Sequence, residues 1–295
     1  MCRSLRVRLF RGLLPGPSDG AYLGAIDFSQ TTTAAPVVGC VLDAADSAQV
    51  GLSAPNQLLS LFGTNLGPAV GAVAPDGGAQ SLAGVSVTFD GKPAQLLYAS
   101  YSQINVAVPF GVGTETSTVM QVSVNSATST PRMFPVTPSN PSLFGNASFS
   151  ITGCNGSPLG FSSIAITQPI VHNDDGRQNS CNAPANPGSV VSFYVNGVGE
   201  GEPFPSVGSP PFPAGVQFDA IAGSWSAEVV SVSRENQFVW RVDVRLPAAF
   251  APPVVQTIKV TLREGFLLVG PLQLFYLGGQ AAQMPQYAAV VWVGK

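Results

Sequence analysis

PNQLLSLFGTNLG at residues 55–67 aligns without a gap on PGSVVSFYVNGVG at residues 187–199. A proline, a serine, an aromatic residue and a glycine recur at matching places, namely Pro55 and Pro187, Ser60 and Ser192, Phe62 and Tyr194, and Gly67 and Gly199. Internal self-similarity of this kind is typical of a duplicated structural unit. The alignment therefore predicts that one module occurs twice in the chain.

The regions downstream of this segment also repeat. Residues 85–109 correspond to residues 216–247, the second stretch being a few residues longer. Each copy then closes with one further strand-like segment, at residues 118–125 in the first copy and 254–264 in the second. Two matches in the same order and at similar separations are hard to obtain by chance, so they support the duplication.

Within each copy, apolar and polar residues alternate with a period of two. VSVTF at residues 85–89 shows the pattern, and the Asp90-Gly91 pair that follows suits a tight hairpin turn with positive φ at both positions. The alternation recurs at residues 103–108, 119–124, 225–232, 238–246 and 257–262. Such a period is typical of strands with one buried and one exposed face. Together with the 32 glycines and 26 prolines that mark many turns, it predicts an all-β chain of two tandem immunoglobulin-like antiparallel β-sandwiches.

The predicted domains are residues 37–139 for the first copy and residues 140–295 for the second. The proline-rich residues 131–141 separate them and are interpreted as a stiff extended linker or a terminal edge strand. An internal loop of one large sandwich is the alternative. Residues 1–36 receive no fold and are interpreted as a truncated or misassigned start.

Composition and charge argue against a nucleic-acid partner and against a transmembrane segment. Charged residues make up 10% of the chain, the net charge is −3, and the 13 lysines and arginines are thinly spread. Four arginines cluster within residues 3–11, but no aromatic residues interleave them as in a binding surface, so no nucleic-acid partner is predicted. No apolar run reaches the roughly 18 residues that a transmembrane helix needs, so no transmembrane segment is predicted. No signal peptide is visible before Pro15.

The cysteines suggest one disulfide. Four cysteines allow three pairings if all are oxidised. Cys154 and Cys181 flank one stretch rich in glycine, serine and asparagine and form the candidate disulfide. Cys40, in the apolar run at residues 37–42, is interpreted as a small buried hydrophobic residue. Cys2 lies in the segment without an assigned fold.

No residue pattern in the sequence supports a catalytic or metal centre. His172 is the single histidine; it lies in a polar turn, and the chain has no Gly-x-Ser-x-Gly nucleophile elbow. Asn173, Asp174 and Asp175 offer oxygen ligands, but the alternating carboxylates and distant glutamate of a calcium loop are missing, so an Asn/Asp-Gly turn is the better interpretation. No Cys-x-x-Cys pair is present for zinc. We therefore predict no catalytic residues, no metal site, no cofactor and no enzyme activity.

Aromatic side chains are the remaining candidates for binding, because their rings stack on sugars or anchor protein interfaces. Phe204 and Phe212 form a candidate contact loop, since they lie in an apolar stretch that prolines stiffen. The other aromatic candidates are Tyr98 and Tyr101 beside a turn, and Trp225 and Trp240 in neighbouring strands. Of these, Trp240 is predicted to point into the core.

The quoted segments resemble a known family. Residues 54–67, 84–94 and 97–109, and in the second copy 182–192 and 241–247, are similar to an uncharacterised C-terminal domain abundant in Solibacter and other Acidobacteria. The similarity covers residues 37 to about 265. Val195-Asn196 departs from the pattern, since a Gly-Thr pair is common there.

The resemblance implies Ig-like modules of the IPT/TIG kind, which typically end long exported proteins after repeat arrays. Residues 1–36 would then be the remnant of such an array, and the chain would be extracellular or at the cell surface. The family supplies no established catalytic residues. The main hypothesis is thus a non-catalytic structural or adhesive module of an exported bacterial protein, with a polysaccharide or a surface protein as partner. The alternative is a carbohydrate-binding module or an accessory domain of an extracellular enzyme.

Overall fold

A computed structural model describes the chain in segments between residues 35 and 293. The described residues are 35–75, 77–112, 116–148, 151–152, 158–159, 166–180, 182–199, 216–222, 225–248, 254–264 and 288–293. Only the backbone is described for those between 146 and 169, from 216 to 227, and from 254 onward. These segments contain strands and turns but no helix, and hence no helix long and apolar enough to cross a membrane.

All pairings between strands are antiparallel, which confirms the prediction of an all-β antiparallel chain. The strands of the first half are β1 (Val37–Asp43), β2 (Leu58–Thr64), β3 (Ala72–Val73), β4 (Val85–Phe89), β5 (Lys92–Pro93), β6 (Gln95–Ala99), β7 (Gln103–Ala107), β8 (Ser117–Val124), β9 (Ala127–Thr128) and β10 (Arg132–Pro135). Those of the second half are β11 (Ser142–Leu143), β12 (Gly145–Ser148), β13 (Ile151–Thr152), β14 (Pro158–Leu159), β15 (Ile166–Pro169), β16 (Val171–Asn173), β17 (Val190–Asn196), β18 (Val216–Ala222), β19 (Trp225–Arg234), β20 (Trp240–Arg245), β21 (Val254–Glu264) and β22 (Ala288–Val293).

The first half folds as two sheets that pack on one core. One sheet has the strand order β1-β2-β7-β6-β3, and the other has the order β10-β8-β4-β5 with β9 beside β8. Both sheets contribute alternate residues to a shared core, because residues two apart along a strand face the same side. The largest fully buried side chains of this core are Leu59, Leu61, Leu66, Phe89, Leu96, Ile104 and Met120.

The first half shows the predicted Asp90-Gly91 turn and an edge strand in the proline-rich stretch. Asp90 and Gly91 have φ values of 51° and 76°, as the hairpin prediction requires, and connect β4 to β5. The proline-rich stretch contributes β10, which pairs with β8 at one edge of its sheet. Of the two interpretations of that stretch, the terminal edge strand is therefore the correct one for residues 132–135.

The second half contains one large sheet. Its strand order is β11-β17-β20-β19-β18-β21-β22, and β16 lies beside β17 on the same side as β11. The strand β19 bends at a bulge between Val229 and Ser231. Two separate two-stranded sheets pair β12 with β15 and β13 with β14.

The repeated segments form equivalent strands. The aligned stretches give β2 and β17, each of seven residues with matching ends. In the first half β2 pairs with β7 and β7 with β6; in the second half β17 pairs with β20 and β20 with β19. Likewise β4 pairs with β8 as β18 pairs with β21. The two halves therefore share strand neighbours as well as sequence, which supports the duplication.

Candidate functional site

The two halves of the chain meet at a buried carboxylate, that of Asp43. Its Oδ1 accepts hydrogen bonds from the Ala45 N–H at 2.7 Å and from Ser142 Oγ at 2.8 Å. Its Oδ2 accepts from Gln57 Nε2 at 2.7 Å and from Asn196 Nδ2 at 3.0 Å. Ser142 and Asn196 belong to the second half and the other residues to the first. One carboxylate at the end of β1 thus holds strand ends from both halves, in what we call the Asp43 junction.

The Asn196 amide also binds the backbone of β2. Asn196 is fully buried, its Oδ1 accepts from the Leu58 N–H, and its Nδ2 donates to the Leu58 carbonyl at 3.0 Å. Nearby, the Asn140 N–H donates to the Gly197 carbonyl at 2.7 Å. A Cβ at Gly197 would collide with the Asn140 carbonyl, so this close approach requires glycine. The junction therefore contains bonds from the Asn196 side chain to the backbone across the two halves, and the Asn140–Gly197 backbone bond lies beside them within the second half.

An apolar cluster adjoins the Asp43 junction. Phe238 of the second half is buried against Leu58 and Ala107 of the first. Partly buried residues surround these three: Ala44, Leu97, Phe144 and Val239. The loop that carries Phe238 is fixed by neighbouring bonds, since Asn56 Nδ2 donates to the Gln237 carbonyl at 2.9 Å and the Gln237 amide donates to the Gly77 carbonyl. Burial of apolar surface thus adds to the polar contacts.

The corresponding surface of the second half is charged. The Leu58–Ala107 cross-strand pair of the first half has Val190–Arg245 as its equivalent in the second. Arg245 is exposed and forms an ion pair with Glu228 at 2.9 Å. The apolar docking surface therefore occurs in one copy and not in the other.

Burial sets the electrostatics of the junction. Desolvation is the largest influence on Asp43, followed by the negative charge of Asp46, and both raise the pKa of the Asp43 carboxyl. Hydrogen bonds from Gln57, Ser142 and Ala45 act in the opposite direction without cancelling the increase. The junction therefore contains a carboxyl group whose charge is disfavoured by its surroundings.

A second polar cluster lies on the outer face of the large sheet. His172, Ser192, Asp243 and Ser231 are opposite one another on adjacent strands and therefore share one face. Ser192 Oγ and Ser231 Oγ each donate to Asp243 at 2.7 Å, and Arg241 Nε does so at the same distance. Burial opposes ionisation of Asp243, but these bonds outweigh it and hold its pKa below the usual value.

Serine, histidine and aspartate share this face without forming a catalytic triad. In a triad the histidine lies between the serine and the acid and accepts the proton of the serine. Here Ser192 donates directly to Asp243, and His172 Nδ1 is bonded instead to the Tyr194 hydroxyl at 2.9 Å. The rings of His172 and Tyr194 meet edge to face with centroids 5.3 Å apart. The arrangement is that of a hydrogen-bonded sheet face.

The segment after His172 forms a turn, as predicted. The Gly176 N–H donates to the Asn173 carbonyl at 2.9 Å, and Gly176 has a φ of 79°. Asn173 is buried and its side chain bonds to Asn179 and to the Ala183 carbonyl, while Asp175 forms an exposed ion pair with Arg177 at 2.6 Å. Among the described residues no group of three or more His, Cys, Asp or Glu could hold a metal ion.

An exposed patch lies at the edge of the first sheet, around Tyr98 and Tyr101. Tyr101 is 48% exposed, and the valines of the adjoining segment, Val70 and Val73, are 84% and 75% exposed. Val73 lies opposite Tyr98 in the pairing of β3 with β6. A Cβ on Gly71 would collide with the Tyr98 ring, so glycine lets that ring lie directly on the backbone. We call Val70, Val73, Tyr98 and Tyr101 the tyrosine patch.

Several sites predicted from the sequence lie outside the described residues. These are Cys154 and Cys181 of the candidate disulfide and Phe204 and Phe212 of the candidate contact loop.

The interpretation of Cys40 as a small buried hydrophobic residue was incomplete. Cys40 is buried, as expected, but it is disulfide-bonded to a cysteine outside the described residues.

The predicted role of Trp240 is confirmed. It is 2% exposed, and the Arg234 guanidinium lies over its ring at 4.7 Å from the centroid. By contrast, Asp43, Gln57 and Asn196 were not identified from the sequence as site residues. A signal for Asn196 existed, because it departs from the residue common at that place in the family that the sequence resembles.

Comparisons with known proteins give little further information. No family model matches the chain, and no curated protein matches it. Among solved structures, one match is a crystal structure with a xylogluco-oligosaccharide, at 13% sequence identity and a TM-score of 0.25. The match covers 81% of this chain, which spans 61% of the length of that one. At this identity and TM-score, the similarity carries no weight for function.

Proposed function

We propose that the chain is a non-catalytic structural module of an exported protein, in which the two copies of the repeated unit are held in a fixed relative position. The observation that carries this proposal is the Asp43 junction. Four side chains from both halves, those of Asp43, Gln57, Ser142 and Asn196, satisfy one another away from water. Buried polar groups of this kind are directional and costly to separate, so they fix one arrangement of the parts they join.

The apolar cluster supports the same role. Phe238 packs on Leu58 and Ala107, so that separating the halves would expose apolar surface as well as polar groups. Two modules connected only by a linker would move independently by default. The contacts between the halves instead suit a rigid spacer, which holds whatever is attached to its two ends at a fixed separation and orientation.

The disulfide at Cys40 supports an oxidising location for the chain. Structural disulfides persist mainly outside the cytosol, at cell surfaces and in secreted proteins. An extracellular or surface-exposed role is therefore part of the proposal. The resemblance to terminal domains of exported bacterial proteins agrees with it.

Amide hydrogen exchange at Leu58 tests the fixed arrangement. The Leu58 N–H donates to Asn196 Oδ1 across the halves at 2.8 Å, so its protection reports whether the junction is closed. We expect strong protection in the wild-type chain and rapid exchange in Asn196→Ala, with amides of β4 unchanged in both. Thr64→Ala is the matched control, because Thr64 is the exposed equivalent of Asn196 in the first copy. Rapid Leu58 exchange in the wild-type chain would overturn the proposal.

Carbohydrate binding is the second candidate function. The tyrosine patch favours it, because it exposes aromatic and apolar side chains in a part of the chain without charge.

The non-catalytic part of the proposal has its own test. Turnover of any substrate by the wild-type chain that is lost in His172→Ala would contradict it.

A further inference from the structure

We propose that the tyrosine patch is a binding surface for a neutral polysaccharide. The inference names a ligand class for the proposed structural module and does not depend on the Asp43 junction. It is based on the exposure, the charge and the rigidity of Val70, Val73, Tyr98 and Tyr101.

The patch exposes apolar side chains at one edge of its sheet. Val70 and Val73 are among the most exposed large apolar side chains in the described part of the chain, and Tyr101 is half exposed. Tyrosine combines a flat apolar ring with a hydroxyl group that forms hydrogen bonds. Pyranose rings present the matching chemistry, with an apolar face of C–H groups and a rim of hydroxyls.

The charge of the patch favours a neutral ligand. No charged residue occurs in residues 65–75 or 95–103, the segments that form the patch. The polar residues within them are amides and hydroxyls: Asn65, Gln95, Tyr98, Ser100, Tyr101, Ser102 and Gln103. A charged polysaccharide would find no counter-charge within these segments, whereas the exposed residues Tyr101 and Ser102 carry hydroxyl groups that can bond to sugar hydroxyls. Protein interfaces are usually enriched in arginine, which these segments lack.

The patch is also rigid before any ligand binds. The Leu66 N–H donates to the Tyr101 carbonyl at 2.9 Å, which ties the two segments together at one end. At the other end the Tyr98 ring lies on Gly71, and Ala72 and Val73 pair with Ala99 and Tyr98. A bonded backbone, and a Tyr98 ring that already lies on Gly71, lose little conformational entropy on binding, which favours affinity.

Retention of the full chain on insoluble neutral polysaccharides tests the proposal. The probes are microcrystalline cellulose and an insoluble mannan, with alginate beads as the acidic comparison. We expect retention on at least one neutral polymer and none on alginate, and a loss of affinity of about tenfold in Tyr101→Ala. Tyr101→Phe keeps the ring and should retain most of the affinity. Phe110→Ala is the matched control, because Phe110 is 52% exposed and follows the opposite end of β7.

Three outcomes would overturn the proposal. The first is the absence of retention on every neutral polymer. The second is retention that Tyr101→Ala leaves unchanged or that Phe110→Ala reduces equally. The third is self-association, measured by analytical ultracentrifugation, that Tyr101→Ala abolishes, because this would assign the patch to a second copy of the chain. Asn196→Ala should bind the polymer normally, so a failure of binding and a failure of the fixed arrangement can be told apart.

Discussion

The side-chain amide of Asn196 pairs with the backbone of Leu58 as a neighbouring strand would, accepting from its N–H at 2.8 Å and donating to its carbonyl at 3.0 Å. The two residues are 138 positions apart and belong to different copies of the repeat. A single side chain thus extends the hydrogen bonding of one copy into the other. Its replacement gives the most direct measure of how strongly the copies are coupled.

Asn196→Ala should lower the free energy of unfolding by about 2–4 kcal/mol, because it leaves the buried Leu58 N–H unpaired and removes one of the donors to Asp43 Oδ2 and to the Leu58 carbonyl. Chemical denaturation monitored by tryptophan fluorescence measures the change. We also expect the transition to broaden or split, since the copies would then unfold less cooperatively. Thr64→Ala, at the equivalent exposed position, should change the free energy by less than about 0.5 kcal/mol. Equal effects of the two substitutions would contradict the role of Asn196.

Asp43→Asn should remove a pH dependence of stability. The pKa of Asp43 is raised in the folded chain, first by burial and then by the charge of Asp46. Its contribution to stability is therefore fully present below the pKa of an unfolded aspartate, about 3.9, and is lost as pH rises through the folded value. We expect the wild-type chain to lose stability relative to Asp43→Asn as pH rises from about 4. Denaturation curves at several pH values check this, and a difference that is constant with pH would contradict it.

Asp243 should show the opposite dependence. Hydrogen bonds from Ser192, Ser231 and Arg241 outweigh its desolvation and lower its pKa, so its contribution is present above the unfolded pKa and lost as pH falls. Asp243→Asn should cost about 1 kcal/mol at neutral pH, and the deficit should shrink as pH falls below about 3.9, the pKa of an unfolded aspartate. Glu228→Gln is the control, because the Glu228–Arg245 pair is exposed and should contribute little. A deficit that persists unchanged in acid would exclude an electrostatic origin.

Phe238→Ala should destabilise the chain by about 3–5 kcal/mol, because it leaves a cavity against Leu58 and Ala107. Thermal or chemical unfolding measures the loss. Phe110→Ala removes the same side chain from an exposed position and should have an effect within about 0.5 kcal/mol. If both variants lose the same stability, Phe238 does not join the halves.

Cys40→Ser should lower stability by about 2–5 kcal/mol under oxidising conditions. The wild-type chain in reductant should show a loss at least as large. Peptide mapping without reduction identifies the partner of Cys40. Because the chain has four cysteines, the predicted Cys154–Cys181 pair requires that Cys40 be bonded to Cys2. A linked peptide that joins Cys40 to Cys154 or to Cys181 would show that prediction to be wrong.

Alternation and turn chemistry predicted the longer strands with a period of two, but not the short strands β12 to β16. VSVTF followed by Asp-Gly became β4 and its turn, because a period of two and a residue pair that tolerates positive φ are local properties. The repeat predicted that β2 and β17 would be equivalent, because both follow a proline at the same distance. The burial of Trp240 followed from the same alternation.

The junction could not be predicted in the same way. Asp43 and Asn196 are polar residues at strand ends, where exposed positions are common, yet both are buried and bonded to each other across the two copies. The contact between the two copies depends on residues that are far apart in sequence, so no local pattern indicates it. The tyrosine patch was partly foreseen, since Tyr98 and Tyr101 were identified as candidates, but the exposed valines beside them become apparent only with the pairing of β3 and β6. The cross-strand pairs His172–Ser192 and Ser192–Asp243 could not be predicted either, because each depends on the register between strands that are far apart in sequence.

The charged surface of the second copy has a consequence for assembly. An interface that joins the same two surfaces head to tail can repeat without limit and produce filaments, unless the surface at the free end is altered. Here the first copy offers Leu58 and Ala107 to its neighbour, whereas the second copy offers Val190 beside the Arg245–Glu228 ion pair at the same positions. The first copy in turn has Thr64 where the second has Asn196. Divergence of the duplicated copies has thus removed from the second copy the apolar pair with which the first copy contacts its neighbour, so the contact between the copies has no repeated equivalent at these positions.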